Sequence, residues 1–318
     1  MALATHLLVF VLSISIVWFF AGMIIESVGR IARRFCKTGF ITAFFILGTL
    51  TSISELSVAI HATATGVPDV SVGNVIGGSF VLLLGIVPIL AIVGKGVSLN
   101  EAVSRRNVLF VLAAIALPVI LVLDGEVTRT EGLLAVLSYT AIGYMLYRGR
   151  AHINACDVRE EAILYGLKAL LSDFGRVIVG SIAILAAAYI LVDQSVFFAS
   201  VLGVAPAFVG LIILSIGTNI PETAIALRSI MRGNMDIAFG NYLGSAMANT
   251  FIFGLVGIAN GTFLIATKSF ISTAVLMVSG FVLLYIFMRR RHFLTPKAAS
   301  VLLLFYGAFL VLQLATVL

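Results

Sequence analysis

Ten apolar runs of about 18 or more residues follow one another along this 318-residue chain, and no other feature restricts its fold so severely. They cover 5–25, 41–66, 70–94, 107–123, 131–147, 175–192, 203–231, 237–259, 269–288 and 299–317. An α-helix of that length crosses roughly 30 Å of hydrocarbon. Within lipid, a segment must satisfy its own backbone hydrogen bonds, which leaves helices or a closed barrel. The composition agrees, with 61% hydrophobic and 11% charged residues, where soluble domains carry about 25% charge. The expected fold is an all-α polytopic membrane protein of ten transmembrane helices. The first run has no basic n-region and no A-x-A-like site, so it reads as a span and not as a cleaved leader. The longest connection, 148–174, divides the chain into transmembrane halves at 1–147 and 175–318 and is too short for a soluble regulatory domain.

Basic residues orient the spans. With the N-terminus outside, eighteen of the twenty Lys and Arg fall in loops on the inner side, and only Arg129 and Lys268 fall outside. This positive-inside bias predicts an even number of spans, both termini extracytoplasmic, and residence in the cell membrane. It also accounts for the net charge of +6 without any nucleic-acid partner. Cys36 and Cys156 both fall on the cytoplasmic side, where disulfides are rare.

The chain also repeats itself. Shifted by 167 residues, positions 51–77 align without gaps on 218–244 with nine identities, among them Thr51/Thr218, Glu55/Glu222, Asp69/Asp236, Asn74/Asn241 and Gly77/Gly244. Five spans separate the copies, and an odd offset turns the second copy over in the membrane. The prediction is therefore two inverted-topology five-helix repeats, the architecture of secondary transporters that bind substrate at the repeat interface near the midplane.

Of the fourteen acidic residues, only Glu55 and Glu222 fall deep inside spans. A charge at a helix centre costs roughly 2.5–3.5 kcal/mol on insertion scales, so such residues face cavities and serve function. Around Glu222 the chain reads Gly217-Thr218-Asn219-Ile220-Pro221, and Pro221 removes a helical donor and clashes with the carbonyl at Gly217. Around Glu55 it reads Leu50-Thr51-Ser52-Ile53-Ser54, preceded by Gly48 and Thr49, whose small and hydroxyl side chains support a bend. Thr49 and Ser54 are expected to bond back to their own helix. The glycine-rich openings Gly73-Asn74-Val75-Ile76-Gly77-Gly78-Ser79 and Gly240-Asn241-Tyr242-Leu243-Gly244-Ser245-Ala246 supply close-packing walls, with Ser245 and Asn249 as further candidate ligands. All these donors are oxygens, which favours a hard cation; Ca²⁺ takes about 6–8 of them. Two carboxylates neutralise one divalent ion, and left empty they repel. Occupancy by Ca²⁺, by Na⁺ or by protons is then mutually exclusive, which is the physical basis of antiport. His61, two turns beyond Glu55, reads as a packed or vestibule residue, with proton linkage as the alternative.

At these segments the chain resembles the cation/Ca²⁺ antiporter superfamily, most closely its sodium/calcium exchanger branch, whose repeats carry Gly-Thr-Ser-x-x-Pro-Glu-like and Gly-Asn-x-x-Gly-Ser-Asn-like signatures. The resemblance implies ten spans in two inverted halves. It implies that Glu55 and Glu222 are the central Ca²⁺ ligands, that Thr51, Ser52, Thr218 and Asn219 line the site, that the carbonyls of Gly48 and Ser215 serve as backbone ligands, and that Ser245 binds a coupling ion. The first repeat departs from the pattern at Leu50, Ser54, Gly78 and Leu82, and the second at Asn219. The expected activity is Na⁺/Ca²⁺ exchange by alternating access, with spans 1 and 6 as the moving elements by family analogy and Ca²⁺/H⁺ antiport as the alternative. The transported ions and the bilayer are the partners; no resident cofactor and no obligatory protein partner is expected. A channel or a non-transporting binder is the second class of reading. An intramembrane enzyme is disfavoured, because no nucleophile–base pair, Asp dyad or His-rich metal motif lies in a span.

Overall fold

The computed structural model describes residues 2–34, 44, 48–98, 105–148, 167–204, 206–219, 222–223, 235–265, 270–291 and 293–315. In chain order the helices are α1 (Ala2–Arg34), α2 (Gly48–Thr51), α3 (Ile53–Ala64), α4 (Pro68–Val93), α5 (Arg105–Leu121), α6 (Arg129–Arg148), α7 (Leu167–Leu202), α8 (Pro206–Thr218), α9 (Met235–Asn260), α10 (Phe270–Arg291) and α11 (Pro296–Ala315). Four two-residue strands join them: β1 (Val97–Ser98), β2 (Glu126–Val127), β3 (Phe263–Leu264) and β4 (Phe293–Leu294). Seven of the described helices are long and apolar enough to cross a bilayer. The remaining spans are α6, twenty residues long and more polar, and two broken ones, α2–α3 and the segment opened by α8. The fold is an all-α membrane bundle of ten spans in two inverted five-helix repeats.

The inversion is visible in the strands. The 167-residue offset carries β2 onto β4 and carries β1 to within one residue of β3. Pairing follows the same symmetry: β1 pairs antiparallel with β4, and β2 with β3. Because the chain crosses the bilayer between β1 and β2, one ribbon closes each face. Each is the image of the other.

The two longest helices show the same relation. α1 and α7 have 33 and 36 residues, about 50 Å at 1.5 Å per residue, and run antiparallel against each other. At one end the Arg30 guanidinium donates to Asp173 at 2.6 Å and to Ser27 at 3.0 Å. At the other end His6 hydrogen-bonds Gln194 at 2.7 Å and stacks on Phe197. The offset carries His6 to Asp173, Ser27 to Gln194 and Arg30 to Phe197, so one clamp has been written twice, once as a guanidinium–carboxylate pair and once as an imidazole–amide contact. Both helices outrun the hydropathy spans 5–25 and 175–192. Those windows stop at Glu26, Asp173 and Asp193, whereas a helix continues wherever its charges reach the interface or a partner. The first residues of α7 therefore occupy the end of what reads in sequence as a connecting loop. Cys36, Cys156, Pro221 and most of the inner basic loops lie outside the described residues.

Burial sorts the helices into centre and rim. α4 is enclosed, with Val70 through Pro88 buried, and Phe239 through Thr250 of α9 are buried as well. α1, α7 and α11 turn Leu7, Phe19, Ile178, Ile182, Leu304 and Val311 outward, as lipid-facing surfaces do. Backbones meet where side chains vanish. A Cβ on Gly77 would collide with the Leu211 carbonyl, and one on Gly244 with the Phe44 carbonyl; the offset relates both pairs. These contacts press α4 onto α8 and α9 onto the chain just before α2, which brings the two broken spans together at the centre.

A methyl group at these crossings should be costly. Gly77→Ala and Gly244→Ala are each expected to lower detergent-solubilised stability by about 1–3 kcal/mol through overpacking. Gly22→Ala, where nothing lies within 4 Å, should be neutral or slightly stabilising by helix propensity. Thermal unfolding followed by size-exclusion chromatography compares them.

Candidate functional site

Both broken spans bend at the same repeat position. α2 ends at Thr51, and Ser52 sits at φ −79°, ψ 9° before α3 begins. α8 ends at Thr218, and Asn219 sits at φ −93°, ψ 8°. These angles lie in the bridge region of backbone space, where active-site residues are often found. A wide π turn over Gly210–Leu214 precedes the second bend. The predicted break therefore occurs in both halves. The first needs no proline: Gly48 has a backbone neighbour at Gly244, and Thr51 and Ser52 compete for the carbonyl at the turn.

The bends carry the two carboxylates inward. Glu55 is 1% exposed and Glu222 fully buried, and each lies within the electrostatic reach of the other. The threonines cross over between repeats: Thr218 stands beside Glu55, and Thr51 beside Glu222. Ser54 also donates to Glu55 at 2.8 Å. Its sequence expectation, a bond to its own backbone, covers only the second contact, to the Thr51 carbonyl at 3.2 Å. Among the described residues, neither Glu222 oxygen has a hydrogen-bond partner. Buried polar groups are normally satisfied, so such a pair of atoms calls for a ligand or a proton.

Every other candidate belongs to the same buried cluster. In the first half, the Gly48 carbonyl accepts from Ser52 at 2.8 Å, from Thr51 at 3.2 Å and from Ser245 at 3.3 Å. Thr51 and Ser245 hydroxyls also meet at 2.5 Å. In the second half, the Ser215 carbonyl accepts from the Asn219 amide at 2.8 Å, and Thr218 donates to Asn74 at 3.2 Å. Asn249 reaches Ser79 at 3.4 Å. Among the described residues, the buried side-chain oxygens of Asn219 and Asn249 and the Asn74 amide nitrogen have no hydrogen-bond partner. Gly48, Thr51, Ser52, Glu55, Ser215, Thr218, Asn219, Glu222, Ser245 and Asn249 are all buried, and the donors they present are oxygens. That set suits a hard cation and offers nothing soft.

Three contributors escape the sequence reading. Asn74 reads there as part of a packing motif, although its recurrence at Asn241 was a signal of use. Ser79 has no polar repeat mate. Tyr242 donates to the Glu222 backbone carbonyl at 3.0 Å, and its repeat counterpart is Val75, so the repeat comparison contains no cue for it. His61 stands apart from the cluster. Its ring packs on Tyr189 with centroids 4.2 Å apart, and its Nε2 lies 4.0 Å from Asp193. This is the packed position that its sequence context suggests.

Known proteins resemble this chain in sequence and fold. The sodium/calcium exchanger protein family matches residues 5–148 and 172–315, that is, both repeats separately. Inner membrane protein YrbG of Escherichia coli is 25% identical over 259 residues, covering 79% of this chain and 78% of that protein. Sodium/calcium exchanger MaX1 of Methanosarcina acetivorans is 31% identical over 140 residues, covering 44% of this chain and 40% of MaX1. Among solved structures, the sodium-calcium exchanger NCX_Mj soaked with Na⁺ and Sr²⁺ superposes with a TM-score of 0.69 at 18% identity, over 96% of this chain and 97% of that one. With both halves matched across the length of the bundle, the chain belongs to the sodium/calcium exchanger protein family.

Proposed function

We propose that this protein is a secondary active antiporter that moves Ca²⁺ against Na⁺ by alternating access, with the divalent ion held between Glu55 and Glu222. One observation carries the reading: two buried carboxylates, contributed by equivalent positions of inverted repeats, lie within reach of each other, and the Glu222 oxygens have no hydrogen-bond partner among the described residues. A protein does not retain such a pair in lipid without an occupant that offsets the desolvation. Thr51, Thr218 and the Gly48 and Ser215 carbonyls are the neighbouring ligands in this reading, with Ser52, Asn219, Ser245 and Asn249 completing the wall. Family membership supports cation antiport, and the names of MaX1 and NCX_Mj support Ca²⁺ and Na⁺ as the exchanged pair.

Each cation neutralises the carboxylates, and they cannot all do so together. Ca²⁺ entry from one face displaces the monovalent ions, and their return from the other face displaces Ca²⁺. The broken spans supply carbonyls without exposing backbone to lipid. By the positive-inside bias we assign the Arg30–Asp173 end of the bundle to the cytoplasm, both termini to the outer side, and the protein to the cell membrane.

Proton coupling is the second reading. Gly78 and Leu82 occupy positions where oxygen ligands stand in the family signature, so this site holds fewer oxygens for monovalent ions, and a proton needs none beyond the carboxylates.

Proteoliposomes loaded with ⁴⁵Ca²⁺ should release it when an inward Na⁺ gradient is imposed at equal pH on both sides. Release driven only by a pH gradient would replace Na⁺ by H⁺. Glu222→Gln should reduce flux to the level of protein-free vesicles while the variant elutes as folded protein, and Glu55→Gln should do the same. Wild-type flux in either variant would overturn the carboxylate site.

A further inference from the structure

The pseudo-twofold axis allows the two halves of the site to be compared atom by atom, and their chemistry differs. The offset pairs Gly48 with Ser215, Thr51 with Thr218, Ser52 with Asn219, and Gly78 with Ser245. In the first half, the side chains that meet the Gly48 carbonyl all do so through hydroxyls, those of Thr51, Ser52 and Ser245, beside a long 3.3 Å bond from the Ser52 backbone N–H. A hydroxyl has one proton and two lone pairs. All three can turn the proton away and present oxygen, after which the carbonyl and the hydroxyls together form a cage for a small cation.

The second half lacks that freedom. The Ser215 carbonyl is met by the Asn219 amide at 2.8 Å. An amide NH₂ offers two protons and no lone pair, and flipping the group would set oxygen against oxygen. The serine that would complete the cage is missing, because position 78 is glycine. The space above Gly78 is filled instead: a Cβ there would lie 3.0 Å from the Asn219 amide nitrogen and 3.0 Å from that of Asn249. Asn219 itself is 1% exposed. Gly78 and Asn219 are thus two parts of one substitution, in which the larger side chain occupies the volume that the smaller one gives up.

We propose that the Asn219 amide is a built-in stopper that sets the ion stoichiometry. It occupies, as a tethered donor, the place in the second half where a monovalent cation would sit, and it leaves the Gly48–Thr51–Ser52–Ser245 half as the cage for the coupling ion. This inference rests on the antiport reading above and adds to it that fewer monovalent ions are exchanged per Ca²⁺ than two equivalent halves would allow. The side-chain oxygen of Asn219, which has no hydrogen-bond partner among the described residues, stays available to the central divalent ion.

Displacement of ⁴⁵Ca²⁺ from the purified protein by Na⁺ tests this. The double variant Asn219→Ser/Gly78→Ser restores hydroxyls at both positions and uncovers the Ser215 carbonyl. Its Na⁺ displacement curve should steepen by about one site in Hill slope, since the slope is bounded by the number of sites. Gly78→Ser alone should be less stable than wild type, because Asn219 already fills the space, and the double variant should regain that loss. Asn219→Ser alone gives a second reading, with a smaller steepening, should the double variant not purify as a monodisperse species. The converse pair, Ser52→Asn/Ser245→Gly, should lower the Hill slope of Na⁺ displacement below that of the wild type. Unchanged slopes in folded Asn219→Ser and double variants would overturn the stopper and leave the antiport reading intact. If Na⁺ neither displaces ⁴⁵Ca²⁺ from the wild type nor drives its flux, the Na⁺/Ca²⁺ reading fails, and the stopper fails with it.

Discussion

Two carboxylates at the centre of a lipid-embedded bundle are the constraint from which the rest of this structure follows. Glu55 and Glu222 are removed from water by the full thickness of the protein around them, and burying charge that way costs several kcal/mol per group unless it is compensated. Compensation has to come from polar atoms that helices do not ordinarily offer. The bends at Ser52 and Asn219 supply them by loosening the carbonyls at Gly48 and Ser215. Such bends are tolerated only where neighbouring backbone closes over them, and this is the role of the glycines at 77 and 244. Small residues, broken helices and buried acids thus form one causal chain.

Symmetry is kept unevenly along that chain. Where backbone touches backbone the halves agree closely: the Gly77–Leu211 and Gly244–Phe44 contacts are images of one another, and so are the two strand pairs. Where side chains touch, the halves diverge. Ser52 faces Asn219 across the axis, and Tyr242 has Val75 as its counterpart. Duplicated packing is constrained by sterics that permit only glycine, whereas a hydroxyl and an amide can both cap a carbonyl. Divergence therefore collected in the donors around the two carboxylates and left the scaffold alone.

This division also explains what was readable from sequence. Span number, inversion and the two acids follow from hydropathy and from a repeat that conserves the rarer Glu, Asp and Asn, and these signals are local and redundant. The extents of α1 and α7 were not readable, because their ends carry charges that a hydropathy window treats as stops, while Arg30 and Asp173 satisfy each other across helices. Ser79 and Tyr242 were hidden for a related reason. Each acts through a partner far away in sequence, and neither has a repeat mate to flag it. Gly78 and Asn219 were visible as two separate departures from a motif. Their mutual dependence became apparent only when the amide was found lying over the glycine.

The clamps between α1 and α7 carry a consequence of their own. One end is fastened by a guanidinium and a carboxylate and the other by an imidazole and an amide. The first binds through net charge, little screened because Asp173 is 2% exposed, and the second through an imidazole–amide hydrogen bond. A duplicated, inverted machine with equal fastenings would weigh its two faces alike in any buffer. Here one face is held by an ion pair and the other by a dipolar contact, so the mirrored halves start from unequal fastenings, a bias written into the chain itself.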